Sequence, residues 1–139
     1  MKKVYNYSLT EIKEKIGAHG LKCTSQRLNI YNVLLSLDHP IVEEVYEAIK
    51  PDNPSISLST VYNTLETFVK HELIWQIKIP NGKMRYDVRQ EEHFHIFDGK
   101  TTKVIDYFDD ELMSMINNHL TKKNVVTKGT NGVHLLINQ

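Results

Sequence analysis

The segment "SLSTVYNTLETFVKHELIWQIKIPNGKMRYDVR" at residues 57–89 changes its hydrophobic period halfway along. Its first half repeats apolar residues at helical spacing and opens on serines that can cap a helix. Its second half contains two β-rich runs, "LIWQIKI" and "KMRYDVR", on either side of Pro80-Asn81-Gly82. An Asn-Gly turn between such runs predicts a β-hairpin. The apolar helix face comprises Leu58, Val61, Leu65, Phe68 and Val69.

Three more helical patterns precede this segment, at residues 9–17, 25–37 and 38–50. In the third, Pro40 suits the start of a helix. Gly17 and Gly20 allow the first helix to stop and turn. Helices followed by a hairpin are the outline of a winged helix, which is a variant of helix-turn-helix, and we assign it to residues 1–88.

The remaining residues, 89–139, predict strand, strand, helix, strand. "HFHIF" and "TTKVIDY" are separated by the turn signal "DGK", and "NGVHLLINQ" closes the chain. About 50 residues bury little core alone, so we expect this small α/β domain to dimerise. The whole chain is therefore predicted to be α+β, with a polar linker near residues 88–92. Residues on the apolar face of the predicted helix at 109–120 are Leu112, Met115, Ile116 and Leu120.

Composition limits the class of protein. The 139 residues are 40% hydrophobic and 24% charged, as in an ordinary globular chain. No apolar run approaches the roughly 20 residues that span a bilayer, so we expect a cytoplasmic protein without a membrane partner. The single cysteine, Cys23, excludes an internal disulfide and a zinc site of CxxC pairs. The zero net charge argues only weakly against nucleic acid.

The polar face of the helix at 57–73 is unusual for a surface helix. Small hydroxyls, an aromatic ring and an amide suit base edges and thymine methyls better than ordinary solvation. An ordinary polar face remains the alternative at this point. Lys22 and Arg27, at the entry to the second helix, are candidate phosphate contacts. The reading face consists of Ser59, Thr60, Tyr62, Asn63, Glu66 and Thr67.

Histidines and aspartates in both halves have the composition of a metal site. His93 and His95 share a face of one strand, and Asp106 lies on the next. Asp87 ends the wing, and His39 stands before Pro40 in the first half. Three imidazoles and two carboxylates suit divalent iron, manganese or zinc. The HxH spacing alone leaves structural histidines as an alternative.

Taken together, these motifs resemble the ferric uptake regulator family over almost the whole chain, and most closely its peroxide-responsive repressors. The matching stretches are "GLKCTSQR", "DHPIVEEVYEAI", "SLSTVYNTL", "RYD", "HFH" and "KVIDY". The resemblance implies a homodimeric repressor that binds AT-rich palindromic double-stranded DNA when a divalent metal occupies one regulatory site per subunit. It also implies that the ligands of this site are His39, Asp87, His93, His95 and Asp106.

The same resemblance assigns roles to individual residues. Tyr62 matches a tyrosine that packs on thymine, and Lys22 matches a basic residue that reaches the minor groove. Asn63 and Asp106 match the peroxide sensors, in which ferrous iron reacts with hydrogen peroxide and a ligand histidine is oxidised. The histidines expected to be oxidised here are His39 and His93.

The chain departs from the family where relatives hold a structural zinc in CxxC pairs. The first pair falls on Asp98 and Thr101, and the second is absent, so no structural zinc bound by cysteines is expected. The dimer must then rely on apolar packing by residues such as Ile105 and Leu136. The resemblance also includes an additional metal site, and here Glu92 and Phe94 flank His93, of which Phe94 cannot be a ligand.

Three competing interpretations follow from the same residues. One is an iron- or zinc-responsive uptake regulator of the same family, without oxidation chemistry. Another is a metalloenzyme, which the sequence disfavours because it offers no separate general base and no signal of a small-molecule substrate pocket. The last is a DNA-binding or interaction module with structural histidines. We expect a regulator and not an enzyme.

Overall fold

The computed structural model describes residues 6–79, 82–88, 93–101 and 103–125, and the backbone of a final strand at 134–137. The chain divides into two compact units, an N-terminal unit of residues 2–89 and a C-terminal unit of residues 90–139. The elements of the N-terminal unit are α1 (Leu9–Ala18), α2 (Ser25–Ser36), α3 (Val42–Ile49), α4 (Leu58–Lys70), β1 (Ile74–Ile77) and β2 (Arg85–Val88). Those of the C-terminal unit are β3 (Phe94–Asp98), β4 (Val104–Tyr107), α5 (Asp110–Lys122) and β5 (His134–Ile137).

Side-chain caps fix where several helices begin. The Ser57 hydroxyl accepts a hydrogen bond from the Thr60 backbone N–H at 3.1 Å, as the predicted capping of α4 requires. Thr24 caps α2 in the same way, accepting from the backbone N–H of Arg27 at 3.2 Å. Each cap satisfies a backbone donor that has no partner inside its helix.

The start of α3 differs from the prediction. The helix begins at Val42 and not at Pro40, with Ile41 at the N-cap. The Glu44 carboxylate accepts from the Ile41 backbone N–H at 3.3 Å, which closes the first turn. His39 has a φ of 44°, in the left-handed region, so the chain turns there and becomes helical only after Pro40 has passed.

Three helices, α1, α4 and α5, end in the same hydrogen-bonded turn. After α4, Glu72 adopts a φ of 59°, and the Leu73 N–H donates to the Phe68 carbonyl. After α1, Gly20 adopts a φ of 81° in the corresponding position, as the sequence suggests. This left-handed residue reverses the chain and satisfies carbonyls of the last turn. It stops α4 at Lys70, three residues before the end of the predicted pattern.

The core of the N-terminal unit gathers one face from each helix and from the hairpin. From α4, the core receives Val61, Leu65 and Phe68, each fully buried. Leu58 was predicted on the same stripe, but its side chain is 42% exposed because it lies in the first turn, at the end of the packed face. The predicted wing is confirmed as the antiparallel pair β1–β2, although its turn residues 80 and 81 lie outside the described part.

The C-terminal unit holds a three-stranded sheet in the order β4-β3-β5. Strand β3 pairs antiparallel with β4 and parallel with β5. On α5 the buried residue is Met113, whereas Met115, predicted on the apolar face, is 62% exposed. The predicted packing of Leu136 lies outside the described side chains. Together the two units confirm the predicted α+β class, a winged helix followed by a small α/β unit. Among the described helices, none has the length and apolar character needed to cross a bilayer.

Replacing Ser57 by alanine removes the cap of α4 and is expected to destabilise the N-terminal unit by about 1 kcal/mol. The cause is the Thr60 N–H, which loses its acceptor. Urea denaturation followed by circular dichroism measures the change. Ser55→Ala, two residues earlier and exposed, is the matched control and should stay within about 0.5 kcal/mol of the parent protein. Equal stability of the two variants would contradict the capping role.

Candidate functional site

Three polar side chains of the C-terminal unit converge on one point. His93 lies directly before β3, His95 lies within it, and Asp106 pairs with His95 from β4. The two imidazole Nε2 atoms are 3.1 Å apart. Asp106 Oδ1 lies 3.1 Å from Nε2 of His93 and 3.4 Å from Nε2 of His95. We refer to His93, His95 and Asp106 as the three-ligand group.

These distances fit the donor set of a metal. Two ligand atoms that each lie about 2.1 Å from one ion at a tetrahedral angle are roughly 3.4 Å apart. Both imidazoles are buried, and only one hydrogen fits between their facing nitrogens. A divalent cation held by both nitrogens and the carboxylate would satisfy all three atoms at once. Nitrogen and carboxylate oxygen are ligands suited to iron, manganese and zinc.

An aromatic ring fixes the orientation of His93. Phe108 stacks on the imidazole with ring centroids 4.8 Å apart and an interplanar angle of 30°. Phe108 comes directly after β4, and Asp109 then caps α5 by accepting from the Leu112 N–H at 2.9 Å. This backbone N–H, together with the Tyr107 hydroxyl, lowers the pKa of the Asp109 carboxyl. The stacked ring is therefore held between a strand end and a capped helix start.

Replacing Phe108 by alanine is expected to weaken Mn(II) binding by about 2- to 10-fold, because a stacked aromatic pair contributes roughly 0.5–1.5 kcal/mol. Competition with a metal-sensitive fluorescent chelator measures the dissociation constant. Phe108→Tyr keeps the stacked ring and is the matched control, with an affinity close to that of the parent protein. An unchanged affinity in Phe108→Ala would show that the ring does not orient His93.

The other two predicted ligands, His39 and Asp87, lie in the N-terminal unit and form a two-ligand group. Nε2 of His39 is 3.5 Å from Oδ2 of Asp87. Nδ1 of the same ring is 2.7 Å from Oδ1 of Asp38, which is within ion-pair distance. Asp38 stands directly before His39 in the sequence, but this adjacency alone did not predict the contact.

Hydrogen bonds from the wing hold the loop that carries His39. The Arg85 guanidinium donates from Nη1 to the His39 carbonyl at 2.8 Å. The Tyr86 backbone N–H donates to the Pro40 carbonyl at 2.9 Å. Both donors lie in β2, directly before Asp87, so one strand positions both members of the two-ligand group. The five predicted ligands therefore occur as one group in each unit.

The residues predicted to contact DNA differ in exposure. On α4, Tyr62 is 47% exposed, and Ser59 and Asn63 are also exposed. Lys22 is exposed as well. The three half-buried residues are Arg27, Thr60 and Thr67.

Two of these half-buried side chains are engaged with backbone. Arg27 donates from Nη1 to the Lys22 carbonyl at 2.9 Å, which ties down the loop before α2. Thr67 donates to the Asn63 carbonyl at 2.9 Å. The fully presented part of the reading face is thus Ser59, Tyr62 and Asn63.

Glu66 has a different role from the one its position on the helix indicates. Its Oε1 accepts hydrogen bonds from the Tyr86 hydroxyl at 3.2 Å and from the Gln76 side-chain amide at 3.3 Å. Burial, and next the negative charge of Glu66, raise the pKa of Tyr86. The sequence placed Glu66 on the reading face, because helical periodicity carries no signal for contacts 10 and 20 residues away.

The loop that would carry a CxxC zinc clamp in relatives is closed here by a carboxylate. Asp98 Oδ1 accepts from the backbone N–H of Lys100 at 2.8 Å and of Thr101 at 3.4 Å. These donors lower the pKa of Asp98, the Lys100 N–H most. Asp98 therefore closes a local turn at the point of the chain where relatives have zinc-binding cysteines.

Comparison with known proteins supplies independent findings. Residues 18–131 match the model of the ferric uptake regulator family. The peroxide-responsive repressor PerR of Staphylococcus saprophyticus is 30% identical over 110 residues, covering 77% of this chain and 74% of that protein. The crystal structure of the Campylobacter jejuni peroxide stress regulator aligns with a TM-score of 0.72 and 30% identity, over 96% of this chain and 97% of that one.

A further solved structure is similar across the full length. The Helicobacter pylori ferric uptake regulator Fur, whose structure reveals three functional metal binding sites, aligns with a TM-score of 0.74 and 26% identity. The alignment covers 100% of this chain and 95% of that chain. This chain is therefore similar both to a peroxide stress regulator and to a ferric uptake regulator.

Proposed function

The chain belongs to the ferric uptake regulator family, a family of metal-responsive transcription regulators, and from this premise we propose that it is a peroxide-sensing, metal-dependent repressor. The observation that carries the proposal is the three-ligand group, in which two buried imidazole nitrogens and a carboxylate oxygen lie within 3.1–3.4 Å of one another. Similarity to PerR of Staphylococcus saprophyticus supports the peroxide signal. The aspartate at position 106 and the asparagine at position 63 support it further, through the family resemblance.

One divalent ion per subunit is proposed to be held by both groups of ligands. Its ligands are His39, Asp87, His93, His95 and Asp106. Because these residues belong to the two different units, a shared ion would favour one relative orientation of the units over others. Phe108 orients the imidazole of His93, and Asp38 lies within ion-pair distance of His39. Fe(II), unlike Mn(II), supplies reactivity toward hydrogen peroxide, and His39 and His93 are the proposed sites of oxidation.

DNA binding is assigned to the N-terminal unit. The exposed residues Ser59, Tyr62 and Asn63 are proposed to contact bases of an AT-rich palindrome, and Lys22 to contact the minor groove. Thr60, Thr67 and Arg27 support this surface at its half-buried edge. A palindrome implies two copies of α4, which we call the reading helix, since half-sites mirror the two-fold symmetry of a dimer.

Dimerisation is assigned to the C-terminal unit. On this unit Ile105 is 46% exposed and Met115 is 62% exposed in the single chain. Contiguous exposed apolar patches mark association surfaces, and these two side chains are proposed to belong to one. Without a thiolate zinc site, this packing is proposed to hold the two copies together. The protein would act in the cytoplasm, where metal and DNA are both available.

The Fe(II) and Mn(II) forms, each treated with hydrogen peroxide, test the sensing chemistry. Peroxide should release the Fe(II) form from a labelled palindromic duplex and leave the Mn(II) form bound. Mass spectrometry should then find one added oxygen on a peptide that contains His39 or His93. Release of neither form, with no added oxygen, would favour the alternative of an iron- or zinc-responsive uptake regulator, which the likeness to the Helicobacter pylori Fur supports.

A further inference from the structure

Glu66 connects the reading helix to the wing. Its side chain leaves α4, and a single carboxylate oxygen, Oε1, accepts one hydrogen bond from each wing strand. Gln76 belongs to β1 and Tyr86 to β2, and the two residues face each other in the register of the hairpin. The carboxylate therefore bridges both strands to the helix. Hydrogen bonds to an ionised acceptor are stronger than neutral ones and hold their geometry more tightly.

Tyr86 also takes part in contacts with the loop that carries His39. Its hydroxyl reaches Glu66, while its backbone N–H donates to the Pro40 carbonyl at 2.9 Å. The preceding Arg85 donates to the His39 carbonyl, and the following residue is Asp87. Hydrogen bonds and the backbone of β2 together thus connect the loop that carries His39 to α4, the reading helix. Every member lies within the N-terminal unit.

A direct role for Glu66 in base recognition fits these contacts poorly. Oε1 already accepts two hydrogen bonds inside the unit. A free carboxylate on the reading face would also repel the DNA phosphates. These contacts fit better with a role for Oε1 in holding α4 against the wing strands than with a role in contacting DNA.

We propose that Glu66 is a positioning residue that couples metal occupancy at His39 and Asp87 to the orientation of the reading helix, through Tyr86 and Gln76. This inference rests on the proposed function, because it describes how the effect of metal binding would reach α4 within the N-terminal unit. Metal binding restrains His39 and Asp87, which restrains β2, and the Glu66 carboxylate passes the restraint on to α4. Energetic coupling between two sites requires such an element that both sites bias.

The coupling ratio tests this proposal. It is the dissociation constant for DNA in chelator divided by that in saturating Mn(II), measured by fluorescence anisotropy. The probe is a labelled duplex selected from a random pool by the Mn(II)-loaded protein. Glu66→Ala and Tyr86→Phe are each expected to lower the ratio by about 2- to 30-fold. The double variant should lower it no further than Glu66→Ala alone, because both changes break one connection.

Two companion variants separate coupling from general damage. Glu66→Gln keeps an oxygen that accepts from both partners and should retain most of the ratio. Glu47→Ala removes an exposed carboxylate from α3 and should leave the ratio unchanged. Mn(II) affinity without DNA should stay near that of the parent protein in all four single variants, because none of them alters a ligand.

The outcomes distinguish this inference from the proposed function. A coupling ratio near one in the parent protein would overturn the proposed function and this inference with it. A normal ratio in the parent that persists in Glu66→Ala would overturn the inference alone. A loss of DNA affinity in Glu66→Ala that is equal with and without Mn(II) would also overturn it, since that result indicates direct contact or simple destabilisation.

Discussion

Replacing His93 and His95 together by alanine is expected to weaken Mn(II) binding by more than about 100-fold and to abolish metal-dependent DNA binding. Loss of a partner that only orients a ligand already costs about 10–100-fold in affinity, and this variant loses two ligands outright. The remaining carboxylate of Asp106 would then face no imidazole. Isothermal titration with Mn(II), followed by anisotropy with a labelled duplex, measures both effects.

Two further variants make this result interpretable. His119→Ala removes an exposed histidine of α5 outside the ligand groups and should leave Mn(II) affinity unchanged. Asp106→Asn preserves the shape of the side chain and removes its charge, so it should lose metal affinity without opening a cavity. Parent-like Mn(II) affinity in a folded His93→Ala/His95→Ala variant would establish that these histidines are structural.

Replacing Phe68 by alanine is expected to destabilise the N-terminal unit by about 3–5 kcal/mol. The Phe68 side chain is fully buried, and its ring packs edge-on against Tyr31 with centroids 6.1 Å apart. Removal of the ring deletes apolar contact and leaves a cavity between α2 and α4. Urea denaturation monitored by circular dichroism gives the free energy of unfolding.

Tyr62→Ala is the matched control on the same helix. Its ring is 47% exposed, so its removal should change stability by no more than about 0.5 kcal/mol while weakening DNA binding. Loss of the Phe68 ring should therefore lower stability, whereas loss of the Tyr62 ring should lower DNA affinity. A stability loss below about 1 kcal/mol in Phe68→Ala would contradict the described packing of α4.

Periodicity in the sequence was sufficient for the elements and for the convergence of three predicted ligands, His93, His95 and Asp106. Alternation along a strand places His93 and His95 on one face, and the turn at residues 98–101 brings Asp106 opposite His95. Both placements depend on residues close together in the sequence, and the regular geometry of a β-strand largely determines them. The helix–hairpin order of the N-terminal unit followed from the same kind of local signal.

Errors arose where a distant neighbour decides the outcome. Leu58 has the helical spacing of a core residue, yet the packing of α4 ends before it reaches this side chain. Glu66 has the spacing of a surface residue, yet the wing strands supply it with two donors. The left-handed turn at His39 delays the start of α3 past Pro40. A local sequence pattern shows the periodicity of one helix or strand, but it does not show which other elements that helix or strand will contact.

DNA affinity of the parent protein, measured with Mn(II) and again after chelation with EDTA, decides whether repressor binding depends on metal. The duplex is one selected from a random pool by the Mn(II)-loaded protein, and ionic strength is held constant because it affects all phosphate contacts. A metal-dependent repressor should bind this duplex at least about tenfold more tightly with Mn(II), and the tight binding should return when metal is added back. Equal affinity with and without metal would contradict it.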